Sequence, residues 1–195
     1  MIGAGDCFIS LFAIFCGCGV DYKKSAELAF KSSSMYVQRK YCNPISYLDL
    51  LESKLIKNPE VLQERNFTLA FTNGCFDIIH DGHLNCLKFA KSKAQKLVVA
   101  LNSDLSVASL GKSHPLINNI ESRINFMQSL EFVDYVVVFD ESTPYEVINK
   151  IKPDVLVKSG EYKNPVGSDL VKRVEIFPVL ENFSTTKIIE KIKNL

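Results

Sequence analysis

The stretch FTNGCFDIIHDGHLNCL, Phe71 to Leu87, decides the fold of this 195-residue chain. An apolar run from Phe67 to Thr72 ends in Asn73-Gly74, and a helical pattern starts at His83 and runs to Ser92. Strand, glycine turn and helix in that order open a βα unit. Gly74 lets backbone N–H groups come close to an anion. The helix start at Gly82-His83 adds unpaired N–H donors and the positive end of the helix dipole. His80 and His83 are three residues apart, so both imidazoles can face one pocket. In isolation a His-x-x-His pair is as much a surface pair or half of a metal site. Here a strand, a glycine turn, Asn73 and Asp77 surround it, and two imidazoles so placed can donate hydrogen bonds to a triphosphate.

Downstream, apolar β-type runs alternate with amphipathic helices. The expected strands are 67–72, 97–101, 135–139, 155–157 and 174–177, and the expected helices are 83–92, 121–130, 144–150 and 185–192. Unbroken apolar strands are buried on both faces, and helices between them imply right-handed crossovers. The fold class is therefore α/β, a Rossmann-like open parallel five-stranded sheet with helices on both faces. Ligands in such folds sit beyond the carboxyl ends of the strands, where strand order reverses. Upstream of Asn58-Pro59 the pattern is helical: an all-apolar segment 7–15, an amphipathic one 23–38 and a short amphipathic run 47–56. No strand is expected before Phe67. This divides the chain into a small helical segment, 1–60, and an α/β domain, 66–195.

Composition narrows the function classes. Lys and Arg number 23 against 22 Asp and Glu, so no basic excess exists for a nucleic-acid partner. The six cysteines show no CxxC spacing and lie mostly amid apolar residues, as reduced thiols of a cytoplasmic protein do. With three histidines and none beside a cysteine cluster, no metal site is expected. The apolar run 8–20 is too short to span a membrane, and Asp6 stands where a signal peptide carries positive charge. No membrane insertion is expected. An apolar helix at 7–15 needs cover, either from the rest of the chain or by pairing in a homo-oligomer.

Three further motifs bear on chemistry. Gly111-Lys112 with Arg123 would clamp a leaving pyrophosphate, although a lone Lys and Arg are usually just solvated. Ser184-Thr185-Thr186 at a helix start would make an anion site, although Ser184 alone could simply cap the helix. Gly3-Ala4-Gly5-Asp6 would expose N–H donors to a phosphoryl group, with Asp6 as base, but the tetrapeptide is a weak signal.

The HDGH core at His80 to His83 closely resembles the HxGH signature of the nucleotidyltransferase superfamily. The runs TNGCFDIIHDGH (72–83), ALNSD (100–104), GKSHP (111–115), VDYVVVFDESTPYEVI (133–148), PDVLVKSGEY (153–162) and FSTTKII (183–189) resemble the adenylyltransferase domain of the bifunctional bacterial heptose kinase/adenylyltransferase. That resemblance covers nearly all of the α/β domain. It implies AMP transfer from ATP, with Mg²⁺, to D-glycero-β-D-manno-heptose 1-phosphate, giving ADP-heptose and pyrophosphate for lipopolysaccharide. It implies His80, His83 and Lys112 as catalytic. It implies nucleotide contacts from Thr72, Asn73, Gly74, Cys75, Phe76, Gly82, Asn102, Asp104, Arg123, Ser184, Thr185 and Thr186, and substrate contacts from Asp77 and Lys158. Two departures, His114 for the usual Arg and KSGEY (158–162) for KGGDY, bear on the sugar more than on nucleotidyl transfer. A cytidylyltransferase for glycerol phosphate or another polyol phosphate, and an inactive nucleotide-binding remnant, are the competing readings. The Gly3–Asp6 turn resembles the catalytic turn of a ribokinase-type sugar kinase. Without that fold's large sheet no kinase activity is expected, and residues 1–60 read as the remnant of a truncated or frameshifted gene.

Overall fold

The computed structural model describes residues 4–38, 54–111, 115–178 and 185–193. The chain divides into two compact units, Met1–Glu52 and Ser53–Leu195.

The first unit is a helical hairpin of α1 (Ala4–Gly17) and α2 (Tyr22–Gln38). A Schellman turn ends α1: Gly19 takes φ +81°, its N–H bonds to Cys16 O at 3.0 Å, and the Val20 N–H reaches Phe15 O at 3.0 Å. Only glycine enters that conformation without strain. Asp21 then caps α2 by accepting from the Lys24 N–H at 3.1 Å. Ala29, Ser25 and Ser32 are fully buried. Ser32 stays satisfied by donating to Leu28 O at 2.7 Å. The expected helices 7–15 and 23–38 are both present. Gly5 and Asp6 form part of the first turn of α1, whereas Gly3 lies outside the described residues.

The second unit carries a five-stranded, all-parallel sheet in the order β3-β2-β1-β4-β5. The strands are β1 (Leu69–Gly74), β2 (Lys96–Asn102), β3 (Tyr135–Phe139), β4 (Val155–Ser159) and β5 (Arg173–Phe177). The helices are α3 (Asp81–Lys91), α4 (Asp104–Ser109), α5 (Ile120–Ser129), α6 (Tyr145–Ile151) and α7 (Thr185–Lys193). All five expected strands exist, β1 starting two residues late. The short helix α4 went unread, because six residues are too few to show a helical period. Strand order reverses between β1 and β4. Right-handed crossovers then put α3 and α5 on one face and α6 on the other.

Alternation along the central strands sorts the core. Ala70, Val99, Leu101 and Val157 pack with Leu87 and Ala90 of α3 and Met127 of α5. Phe71, Val98, Ala100 and Leu156, all fully buried, face the opposite side.

Residues 54–56 belong to this second unit. Leu55 makes a parallel bridge to Val136, and the Ile56 N–H donates to Val136 O at 2.8 Å. A helix through Ile56 was expected; its last residues instead pair with the edge of β3, and 47–53 lie outside the described residues. The break at Asn58-Pro59 is a local event. Asn58 caps a 3-10 turn, Pro59–Gln63, by accepting from the Glu60 N–H at 3.2 Å.

No described helix is long and apolar enough to cross a membrane. Cys7, Cys16, Cys18, Cys75 and Cys86 carry no disulfide.

Candidate active site

A cavity of about 410 Å³ opens at the carboxyl ends of β1 and β4, on the switch point of the sheet. Thr72, Asn73 and Gly74 reach it from the end of β1. His80, Gly82, His83 and Cys86 reach it from the start of α3, and Lys158, Ser159, Tyr162 and Phe177 from the β4 and β5 side.

The chain after β1 makes a tight turn in which Phe76 takes φ +47°, a conformation an aromatic residue adopts only when its surroundings hold it there. The buried Phe76 ring packs over Gly74: a Cβ at position 74 would lie 3.0 Å from Cε2. The same ring meets His83 at a centroid distance of 5.2 Å. His80 is the N-cap of α3 in extended conformation, and the His83 N–H bonds back to its carbonyl at 2.9 Å. That geometry stacks the two imidazoles at 3.9 Å with 22° between planes. Burial lowers the pKa of His80, partly offset by Asp81, so at neutral pH its ring is uncharged and offers one N–H. The Asp81 and Gly82 amides precede the first backbone bond of α3 and point out of its end, as a helix start requires.

Lys158 supplies the cation. Its ammonium donates to the Asn73 side-chain carbonyl across the β1/β4 seam. Burial lowers its pKa to about 8, against a raising influence from Cys86. Burial pushes the Cys86 thiol up to about 11. Cys86 is therefore a neutral wall of the cavity rather than a nucleophile.

Other expected site residues lie beneath the cavity instead of in it. Arg123 is 1% exposed. Its guanidinium donates to Cys75 O at 2.8 Å, Asn102 O at 2.7 Å, Asn118 O at 3.2 Å and the Asp104 carboxylate at 2.6 Å. A guanidinium so engaged ties the ends of β1 and β2 to α5, and the expected role as a pyrophosphate clamp is revised accordingly. Asn102 is held by Ser106 at 2.9 Å, and Asp104 also accepts from the Ile120 N–H at 3.2 Å. Asp77 accepts from the amides of Ile117 and Asn118 at 3.0 and 2.7 Å. It orders that loop, so the substrate contact expected of it is likewise revised. Asp77 and Arg123 line a separate cavity of about 260 Å³ behind Phe76. Cys75 faces Asn102. Thr185 and Thr186 open α7. Lys112, His114 and Ser184 lie outside the described residues.

Sequence reasoning missed Cys86 and Phe177, and it gave Ser159 and Tyr162 only a bearing on the sugar, within the KSGEY run 158–162. Cys86 was signalled by its place one turn after His83 on the same helix face. The other three sit at or just past the carboxyl ends of β4 and β5, where ligands bind in such sheets. Among the described residues no group of three His, Cys, Asp or Glu side chains is placed to hold a metal ion.

Residues 71–191 match the family described as cytidylyltransferase-like. Bifunctional protein HldE of Campylobacter jejuni subsp. doylei is 41% identical over 205 residues, covering 98% of this chain and 44% of that protein. The protein of the same name in Wolinella succinogenes is 52% identical over 134 residues, 67% of this chain and 28% of its own length. The chain thus spans less than half the length of these relatives. The crystal structure of the lipopolysaccharide core biosynthesis protein from Thermoplasma volcanium GSS1 aligns with a TM-score of 0.50 at 24% identity, over 59% of this chain and 98% of that one. At that identity the likeness speaks for the fold alone. The family match runs from β1 into α7, the stretch that builds the cavity, and on that ground the chain belongs to the cytidylyltransferase-like family and is a nucleotidyltransferase.

Proposed function

We propose that this chain is an adenylyltransferase that moves AMP from ATP to a sugar 1-phosphate, D-glycero-β-D-manno-heptose 1-phosphate, giving ADP-heptose and pyrophosphate. The observation that carries it is the stacked His80–His83 pair at the start of α3, facing Lys158 across the switch point of the sheet. The resemblance of the runs between residues 72 and 189 to a heptose adenylyltransferase domain supports the heptose assignment, and the reading places the protein in the cytoplasm.

The sugar phosphate is already an anion, so no proton need be removed from it. Its oxygen bonds to the α-phosphorus in line, the bond to the β-phosphate bridge breaks, and that electron pair leaves on pyrophosphate. What the protein supplies is position and charge stabilisation. His80 and His83 donate to the α-phosphate region as charge develops there, with the α3 amides beside them. Lys158, held by Asn73, neutralises a phosphate oxygen. Lys112 and the Ser184–Thr186 segment would hold the β- and γ-phosphates. Among the described residues the cavity lining offers imidazole, amide, ammonium and hydroxyl groups but no carboxylate. That donor set fits phosphate oxygens rather than a bare cation, so Mg²⁺ would come coordinated to the triphosphate, where it neutralises charge.

The test incubates the protein with ATP or CTP and either heptose 1-phosphate or glycerol 3-phosphate, and measures pyrophosphate. Release only with ATP and the heptose supports the reading; release with CTP and glycerol phosphate replaces it with a cytidylyltransferase. Nucleotide binding without turnover on any pair would mark an inactive remnant. His83→Ala is expected to lower turnover by about 10²–10³ with the fold intact, and near-normal turnover would remove His83 from the mechanism.

A further inference from the structure

We propose that Tyr162 is the stacking platform for the nucleotide base and sets a preference for purine over pyrimidine nucleotides; this rests on the cavity being a nucleotide site.

The cavity is chemically polarised. Its β1 and α3 side carries Gly74, the imidazoles and the helix start, all suited to phosphate. Its β4 and β5 side carries Lys158 and Ser159 at the end of β4 and, further along the chain, two aromatic residues, Tyr162 and Phe177, whereas Phe76 on the other side packs on Gly74 and His83. Of the two substrates, only the nucleotide has an aromatic ring to offer Tyr162 and Phe177.

Tyr162 is held in a way that suits a platform. It is 51% exposed yet lines the cavity. Its ring lies against the backbone of Gly160: a Cβ at position 160 would sit 3.1 Å from Cε2. Gly160 itself takes φ +128°, a conformation reserved for glycine. The Gly160 N–H is fixed in turn to Phe177 O at 3.1 Å. The ring is thus backed by the chain on one side and retains open surface toward solvent and cavity. A large exposed aromatic with its backing fixed loses little conformational freedom when a ring stacks on it. Phe177 packs on Phe89 with centroids 5.3 Å apart and planes tilted by 50°, which ties it to α3 and makes it a wall rather than an open face. Stacking accepts every base but grows with ring area, so a purine gains more than a pyrimidine.

The test compares wild type, Tyr162→Ala and Tyr162→Phe by calorimetric titration with ATP, CTP and inorganic tripolyphosphate, followed by steady-state kinetics. Tyr162→Ala should weaken ATP binding roughly 5- to 20-fold, weaken CTP less, and leave tripolyphosphate binding and the acceptor KM unchanged. Tyr162→Phe should bind ATP as wild type does. Equal affinity of Tyr162→Ala and wild type for ATP overturns the proposal. So does a matching loss of tripolyphosphate affinity, which would mean that the residue shapes the phosphate side. If wild type binds no nucleotide, the functional reading itself has failed, a result separable from either of these.

Discussion

Two cations with similar prospects in the sequence have opposite roles in the structure. Lys158 lies at the end of β4, and Arg123 reaches the ends of β1 and β2 from α5. Arg123 has its guanidinium spent on three backbone carbonyls and Asp104. Arg123→Met would leave those carbonyls and a carboxylate unpaired, at a cost of about 3 kcal/mol or more in unfolding free energy. Arg123→Lys should not restore it, because an ammonium cannot reach the same spread of acceptors. Urea unfolding measures this, and an unchanged midpoint would return Arg123 to the catalytic candidates. Lys158 instead faces the cavity with its pKa near 8. Its charge is complete below that value and is lost as pH rises through it. If that charge receives a phosphate, kcat/KM falls above about pH 8, since this parameter reports the free protein. Lys158→Arg should move the alkaline limb out of range, and a limb unmoved in that variant would assign it to another group. The sequence announced both charges. It could not show which one the loops would consume, since Arg123 is satisfied by residues 21 and 48 positions away.

The elements that position the site are anchored at the far end of the sheet by two aspartates just ahead of their strands. Asp134 precedes β3 and accepts from the Leu97 N–H of β2 at 2.8 Å and from Lys96 at 2.9 Å. Asp154 precedes β4 and accepts from the Leu69 N–H of β1 at 3.0 Å, Arg65 at 3.0 Å and Lys172 at 2.9 Å. Each carboxylate therefore fixes the start of a neighbouring strand. Burial raises the Asp154 pKa, but the hydrogen bonds from Lys172, Leu69 and Arg65 outweigh it and hold the group at about 2. A carboxyl depressed on folding adds stability that is present above its unfolded value and is lost as pH falls through the folded one. Asp154→Asn should thus cost at most about 2 kcal/mol at pH 7, and the gap to wild type should close between about pH 4 and pH 2. A gap that persists at pH 2 would show that the loss is steric rather than ionic. At this scale the strands and α3, α5, α6 and α7 were legible, because apolar runs and helical periods are local signals. The bridge from Leu55 to Val136 was not, since a single pair has no period.

Taken whole, the molecule concentrates its chemistry in one of its two units. Among the described residues, those lining the main cavity come from 72–177, inside the unit Ser53–Leu195. That unit also holds its own strand anchors and its own core. The hairpin of α1 and α2 is organised separately, with its own Schellman turn and cap, and it leaves Ile9, Ile14 and Phe30 more than half exposed. Burial of apolar area gives the main share of folding free energy, so a unit that closes its own core should fold alone. A chain comprising residues 53–195 is therefore expected to unfold in one transition and to keep the ATP-induced rise in melting temperature of the full chain. It should also be the more soluble of the two, having shed the exposed apolar side chains of the hairpin. Thermal unfolding with and without ATP decides the matter. Loss of the ATP effect in the shortened chain, with its sheet intact by circular dichroism, would show that residues 1–52 complete the nucleotide site.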